Sequence, residues 1–181
     1  MQIIDTPQDD ATIIVIATML MDGFREHWPE AWETLEEAIQ EVKESFEEGR
    51  ISRLALDGDG MILGWIGGQH FYAEVWELHP LVVRREQRHK GIGRALVTDL
   101  EAQVRQRGGI TLMLGTDDED NMTSLSGVDL YNDLWQHVAN IKNLRGHPYE
   151  FYQRLGYSIV GVVPDANGVG KPDILMAKRV G

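Results

Sequence analysis

One stretch organises the whole sequence: Leu78-His79-Pro80-Leu81-Val82-Val83-Arg84-Arg85-Glu86-Gln87-Arg88-His89-Lys90-Gly91-Ile92-Gly93-Arg94-Ala95-Leu96-Val97. The apolar, β-branched run near its start predicts a strand, and Gly91 opens a segment with the apolar spacing of a helix. Backbone N–H groups in the first turn of a helix have no partner inside the helix, and the helix dipole adds partial positive charge there. The junction at residues 88–94 therefore favours a bound anion such as a phosphate.

Basic side chains surround this predicted turn. Only Glu86 opposes five of them, Arg84, Arg85, Arg88, Lys90 and Arg94. The chain as a whole carries a net charge of −12, so this local positive excess points to a function. Gly91 and Gly93 would also let the main chain approach a phosphate closely. A solvated basic turn is the alternative interpretation.

Two motifs resemble a known family. Arg88-His89-Lys90-Gly91-Ile92-Gly93 resembles the acetyl-CoA signature R-x-x-G-x-G of the GNAT acetyltransferase superfamily. Phe151-Tyr152-Gln153-Arg154-Leu155-Gly156-Tyr157 resembles a second signature of that superfamily, FYxxxGF. The first motif differs from the glycine patterns of dinucleotide-binding folds and P-loops. The resemblance implies an enzyme that transfers an acetyl group from acetyl-CoA to a primary amine by direct attack in a ternary complex.

The fold class is predicted to be α/β (α+β), with a mixed, mostly antiparallel central sheet of six or seven strands flanked by helices. Short apolar runs separated by turn signals predict the strands, and three- and four-residue apolar spacing predicts the helices, the second of which we expect to end at Gly49. The resemblance adds a splay between strands 4 and 5. We expect a single GNAT-like domain over 1–181, with an inserted segment at about 117–147, because compact family members reach the second signature sooner after the fifth strand.

Composition narrows the function classes. The chain has 181 residues and no cysteine, which excludes disulfides, thiolate zinc sites and a cysteine nucleophile. Its six histidines lack metal-site spacing, so we expect no metal. The longest apolar stretch, residues 11–21, is too short to span a bilayer and follows acidic residues, which predicts no membrane association and a cytoplasmic location. With 29 acidic against 17 basic residues, a cationic partner is expected rather than a nucleic acid.

The resemblance implies a set of residues for acetyl-CoA (CoA), the expected co-substrate. The loop and helix start would hold the pyrophosphate, and the strand before them would pair its backbone with the pantetheine arm. A tyrosine and an asparagine complete the set. The predicted cofactor-binding residues are Leu81, Val82, Val83, Arg88, His89, Lys90, Gly91, Ile92, Gly93, Arg94, Asn143 and Tyr152.

Three side chains are candidates for acid–base chemistry. Glu77 and His79, with Leu81, alternate along the predicted strand and are expected on one face, where either one could take the proton of the amine. Pairing with each other or with sheet neighbours is the alternative. Pro80 lacks an N–H group and favours a bulge. By resemblance Tyr152 protonates the departing thiolate, and a core tyrosine is its alternative.

The acceptor site is predicted from aromatic and acidic side chains, with Trp28, Asp117 and Asp118 as substrate-binding residues. The strand end at Thr116 to Asp118 loosely resembles the aminoglycoside 6'-N-acetyltransferase branch, so an aminoglycoside 6'-amino group is the expected acceptor. Polyamines, other small amines and peptide or protein amines remain alternatives. A non-catalytic CoA-binding sensor is an alternative of another class. Relatives are often dimers, so a homodimer is expected.

Overall fold

The computed structural model describes residues 1–181, with seven β-strands and five α-helices. In chain order they are β1 (Gln2–Asp5), α1 (Asp10–Phe24), α2 (Leu35–Glu44), β2 (Ile51–Leu56), β3 (Ile62–His70), β4 (Val75–Val83), α3 (Ile92–Gln106), β5 (Thr111–Asp117), α4 (Leu134–Ala139), α5 (Tyr149–Gln153), β6 (Ser158–Val163) and β7 (Asp173–Arg179). One turn of 3-10 helix, Arg85–Gln87, lies between β4 and α3.

The strands form one sheet in the order β1-β2-β3-β4-β5-β7-β6. The pairs β1–β2, β2–β3, β3–β4 and β6–β7 are antiparallel. This architecture confirms the predicted α/β class with seven strands and flanking helices. By backbone contacts the chain divides into two compact units, residues 1–112 with 179–181, and residues 113–178. No helix is both long enough and apolar enough to cross a membrane.

In the first unit, α1 and α2 cover one face of the sheet. Side chains from both helices form an apolar core with residues of β2, β3 and β4, among them Leu54, Trp65 and Val82. These three residues are in register on adjacent strands, so they project to the same face. This helix-covered side is called the front face below.

The opposite face of the same strands is covered by α3. A Cβ added at Gly64 would lie 3.0 Å from Leu96, and one added at Gly68 would lie 2.7 Å from Leu100. Glycine at these two positions lets the helix approach the sheet backbone. The first unit is therefore a three-layer arrangement, with helices on both faces of the sheet.

The second helix is shorter than the sequence predicts. Thr34 begins it with a capping box, in which its hydroxyl accepts from the backbone N–H of Glu37 while the Glu37 carboxylate accepts from the backbone N–H of Thr34. The helix ends at Glu44, where Ser45 donates its hydroxyl to Val42 O. The expectation that Gly49 closes the helix is wrong, because the chain has already left the helix and Gly49 occupies a later turn with φ +84°.

In the second unit, the segment after β5 is organised by hydrogen bonds to one carboxylate. Asp118 is fully buried, and its two oxygens accept from the backbone N–H groups of Met122 at 2.6 Å and Thr123 at 2.8 Å. Further along, Thr123 forms an isolated bridge with Asn143. The segment contains one short helix, α4, and the part before it is held by these local contacts.

Candidate active site

The centre of β4 contains a β-bulge. Ile66 of β3 pairs with Leu81, and Gly68 pairs with Leu78, so a single residue, Gly67, faces both His79 and Pro80. The peptide bond between His79 and Pro80 is cis. The structure thus confirms the bulge predicted from Pro80, which has no N–H group to donate to the ladder.

The bulge decides which side chains share a face. Side chains at every second position of a strand point to the same face, so Gln69 of β3 shares the front face with Trp65. Their partners on β4, Glu77 and Val82, therefore lie on the front face as well. Leu81 pairs with Ile66 and lies on the opposite face. The sequence prediction that Leu81 shares a face with Glu77 is therefore wrong, because the extra residue of the bulge reverses the alternation after Pro80.

Glu77 and His79 have different partners on the front face. The Glu77 carboxylate accepts from the side-chain amide of Gln69 at 2.8 Å. The imidazole Nε2 of His79 lies 3.7 Å from Oε1 of Glu41 on α2. Both candidate bases thus lie on one face, where Glu77 accepts a hydrogen bond from Gln69 and His79 lies beside the carboxylate of Glu41. Their roles in the reaction stay a prediction.

Glu41 is the residue that sequence reasoning missed. The Glu41 side chain is 18% exposed and that of His79 is 47% exposed. Interaction with the Glu41 carboxylate raises the pKa of His79 above its ordinary value of 6.5, against the effect of burial. Burial alone would raise the pKa of Glu41, but interactions with His79, Trp32 and Arg50 outweigh it and lower that pKa below 4.5.

Aromatic side chains lie next to this pair. Phe24, at the end of α1, contacts Trp28 with ring centroids 5.6 Å apart and Trp32 at 4.8 Å. The ring centroid of Trp32 is 6.4 Å from that of His79. The segment between α1 and α2 therefore brings Trp32 to the front of the bulge, whereas Trp28, the predicted substrate residue, packs on Phe24 and His27.

An open, acidic hollow of about 730 Å³ runs along α2 and the segment before it. Trp32 lines it, and six of its nine lining residues are glutamates: Glu30, Glu33, Glu36, Glu37, Glu41 and Glu44. Because Glu41 also faces His79, the hollow adjoins the bulge of β4. Its charge makes it attractive to a cation.

The loop between β4 and α3 has the geometry expected of an anion site. His89 and Gly91 both have left-handed backbone, with φ +62° and +83°. The first hydrogen bond of α3 joins the N–H of Ala95 to the carbonyl of Gly91, so the amides from Ile92 to Arg94 precede the intrahelical ladder. A Cβ at Gly91 would meet nothing within 4 Å, so Gly91 serves the backbone conformation and leaves the approach open.

The basic side chains of this loop differ in their contacts. Arg88 donates to the carbonyls of Gly23, at 3.1 Å, and Val83, at 3.4 Å, and so ties the loop to α1 and β4. Arg85 forms an ion pair with Glu26, with 2.7 Å between Nη2 and Oε2. Lys90 donates to the Gln87 side chain at 2.9 Å. The ion pair with Glu26 offsets the charge of Arg85, whereas Arg88 and Lys90 bond neutral acceptors, and the guanidinium of Arg88 also fixes the loop in place.

Tyr152 and Asn143 both lie in the second unit. Tyr152 is buried on α5, with its ring 4.9 Å from that of Phe151 and 5.7 Å from that of Tyr157. Burial strongly raises the pKa of Tyr152, so its hydroxyl keeps its proton at neutral pH. The side chain of Asn143 is occupied at both ends, because it donates to His147 O and accepts from His147 N–H.

The two predicted acidic substrate residues occupy different environments. Asp117 ends β5, and its carboxylate accepts a short hydrogen bond, 2.5 Å, from the side chain of Asn167. Asp118 is 0% exposed and bonds to the backbone N–H groups of Met122 and Thr123. Folding therefore turns the Asp118 carboxylate inwards to bond these amides, and its predicted role in binding a substrate stays a prediction. No group of three or more His, Cys, Asp or Glu side chains is arranged to hold a metal ion.

Comparison with solved structures gives full-length similarity. A crystal structure of an aminoglycoside 6'-N-acetyltransferase complexed with coenzyme A is 45% identical, with 100% of this chain and 98% of that chain covered and a TM-score of 0.91. The aminoglycoside 6'-N-acetyltransferase from Enterococcus faecium is 46% identical, with the same coverage and a TM-score of 0.85. An aminoglycoside 6'-acetyltransferase type Ii is 36% identical, again with the same coverage, at a TM-score of 0.73. No curated protein sequence matches significantly.

The family model of the GNAT acetyltransferases matches residues 15–132, which include β4, the anion loop and α3. This match covers the first of the two signatures, and the full-length similarities extend over the second. The chain therefore belongs to the GNAT acetyltransferase family and is an acetyl-CoA-dependent N-acetyltransferase.

Proposed function

We propose that the acceptor is a cationic small amine, and specifically the 6'-amino group of an aminoglycoside. The observation that carries the proposal is identity of 45% and 46%, over the whole chain, to two proteins named as aminoglycoside 6'-N-acetyltransferases. The acidic hollow along α2 supports it, because aminoglycosides are polycations and a cluster of carboxylates attracts them. The net charge of −12 also favours a cationic acceptor.

The proposed reaction is a direct transfer. The amine nitrogen attacks the carbonyl carbon of the acetyl thioester, a C–N bond forms, and the C–S bond breaks. Glu77 or His79 takes the proton released from the nitrogen, and Tyr152 gives its phenolic proton to the departing thiolate. We assign the pyrophosphate of acetyl-CoA to the backbone amides at the start of α3, where the loop glycine and the helix dipole favour an anion.

The proton acceptor is tested by Glu77→Gln and His79→Gln, measured separately and together. Loss of the group that takes the proton is expected to lower kcat by about a hundredfold or more. Gln69→Leu serves as a control for the structural part of the effect, since it removes the hydrogen bond to Glu77 and leaves the carboxylate in place. Activity within about twofold of the original protein in the double variant would remove both residues from the proton-transfer step.

Tyr152→Phe tests the proton donor, and Tyr149→Phe is the matched control. Both side chains are buried and both lie on α5, so each change removes one hydroxyl from the same short helix. We expect kcat to fall by about tenfold or more for Tyr152→Phe and to change little for Tyr149→Phe. Equal effects of the two variants would indicate that Tyr152 is a core residue, as the alternative interpretation holds.

The acceptor is tested by acetyl-CoA turnover across three classes of amine: aminoglycosides, polyamines and lysine-containing peptides. A pair of aminoglycosides that differ only in carrying an amino or a hydroxyl group at the 6' position gives the sharpest comparison. We expect turnover with the 6'-amine and none at that position with the 6'-hydroxyl compound. Preference for a polyamine or a peptide would overturn the aminoglycoside assignment and leave the enzyme class intact.

Three further expectations belong to this proposal. A homodimer is expected, and sedimentation equilibrium across a concentration series would detect it. A cytoplasmic location and a single domain with an insertion at about 117–147 also stay predictions. Family membership disfavours the non-catalytic CoA sensor, which would bind CoA in calorimetry and acetylate none of the amines tested.

A further inference from the structure

Three segments meet in front of the bulge of β4. His79 comes from β4, Glu41 from α2, and Trp32 from the segment between α1 and α2. The Nε2–Oε1 distance of 3.7 Å between His79 and Glu41 is that of an ion pair and too long for a direct hydrogen bond. Trp32 lies beside both partners, since it lines the same acidic hollow as Glu41 and its ring centroid is 6.4 Å from that of His79.

Glu41 is well placed to restrain the histidine. At 18% exposure its carboxylate is largely shielded from water, whereas the imidazole at 47% exposure is open towards solvent on the front face. Val42, the next residue on α2, is fully buried in the core cluster, so the helix that carries Glu41 is anchored to the sheet. The Glu41 carboxylate is therefore held against the imidazole by an anchored helix, and part of the imidazole remains exposed to solvent.

We propose that Glu41 is a positioning residue for acetyl transfer: its carboxylate, on a helix anchored in the core, fixes the imidazole of His79 beside Glu77 on the face where the acceptor amine loses its proton. This inference rests on the proposed role of Glu77 and His79 in that step. It assigns to Glu41 a role that acts through His79 and requires no contact between Glu41 and acetyl-CoA.

The charged groups around His79 favour its protonated form on balance. Four groups face the imidazole: Glu41 from α2, Glu77 from β4, Arg50 from the turn before β2, and the ring of Trp32. The two carboxylates favour the imidazolium, and Arg50 and burial oppose it, with a net increase in the pKa of His79. The surroundings of His79 therefore favour its imidazolium form.

The first test measures His79 directly, without reference to activity. In protein labelled with ¹⁵N at histidine, the pH titration of the His79 ring nitrogens is followed in the original chain, in Glu41→Gln and in Glu48→Gln, with His79→Gln used to assign the signal. Glu48 is an exposed glutamate after the end of α2, so it controls for the loss of one negative charge. We expect Glu41→Gln to shift the His79 titration towards pH 6.5 and Glu48→Gln to leave it in place. An unchanged titration in Glu41→Gln would overturn the inference.

The second test is a double-mutant cycle on kcat/KM with the best acceptor. Glu41→Gln is expected to lower kcat/KM by between about tenfold and about a hundredfold, because a small displacement of an acid–base group has effects of that size. In a His79→Gln background the same change should have almost no further effect, since a residue that acts through another is silent once that other is gone. Additive effects would refute the positioning role.

Glu41→Asp completes the design. It keeps the charge and shortens the side chain by one methylene, so it should keep most of the shift in the His79 titration while recovering only part of the activity. Complete loss of the titration shift in this variant would contradict the ion pair. If no amine is acetylated by the original chain, the proposed acceptor fails, and the NMR result still decides whether Glu41 governs the state of His79.

Discussion

Gly67→Ala is the substitution that most directly tests the geometry of β4. Gly67 is the single residue of β3 that faces both His79 and Pro80. A Cβ at this position would lie 2.3 Å from the carbonyl oxygen of His79 and 3.2 Å from its carbonyl carbon. Both contacted atoms belong to the backbone, so no side-chain rotation relieves the clash.

The size of the effect follows from these distances. Ordinary contact begins near 3.4 Å, so the methyl group is about 1 Å too close to the carbonyl, and the bulge has to move by a comparable amount. Overpacking of this kind costs about 1–3 kcal/mol of stability. A displacement of about 1 Å at a reacting group reduces the rate by on the order of a hundredfold. We therefore expect the loss in kcat/KM to exceed what the lower stability alone explains at temperatures where the variant remains folded.

Urea denaturation and steady-state kinetics on the same preparations measure the two quantities. Gly58→Ala is the control, because its Cβ would meet nothing within 4 Å and its φ is not in the left-handed region. This control should change the unfolding free energy by less than about 1 kcal/mol. If Gly67→Ala were as stable and as active as Gly58→Ala, the close approach at the bulge, and the placement of His79 that depends on it, would be wrong.

Asp118→Ala is expected to lower the unfolding free energy by about 3 kcal/mol in urea denaturation, because two buried N–H groups lose a charged acceptor, whereas Asp118→Asn keeps one acceptor oxygen and should lose less. Thr34→Ala removes one half of the capping box and should cost about 1 kcal/mol by the same measurement, with Thr34→Ser close to the original value. The ion pair of His79 and Glu41 should make stability depend on pH. The pKa of His79 is raised on folding, so its contribution to the unfolding free energy is complete below pH 6.5 and disappears as pH rises through the higher folded pKa. The pKa of Glu41 is lowered on folding, so its contribution is complete above pH 4.5 and disappears as pH falls through the lower folded pKa. The difference in unfolding free energy between the original chain and Glu41→Gln, followed across pH, should therefore be largest between pH 4.5 and 6.5; a difference independent of pH would exclude the pair as its source.

Family and co-substrate were predictable from the sequence because the residues that carry them are contiguous. The anion loop is a strand end, a turn and a helix start within residues 78–97, and the backbone of such a segment is set by local preferences, including the left-handed conformation at Gly91. The bulge was predictable for the same reason, since Pro80 cannot take part in the ladder wherever the strand lies.

The environment of each candidate side chain was decided only by tertiary structure. Asp118 is one of several acidic residues in a polar segment, and nothing local shows that its oxygens turn inwards to the amides of the following loop. Leu81 changes face because of one extra residue in β4, whose position depends on the pairing with β3. The contact between Glu41 and His79 requires α2 to pack on the front face, which is a property of the assembled core. The sequence by itself therefore determined the family, the conformation of the loop before α3 and the strand that carries the candidate bases, because these depend on adjacent residues. The partners of those bases depend on side chains that only packing brings together.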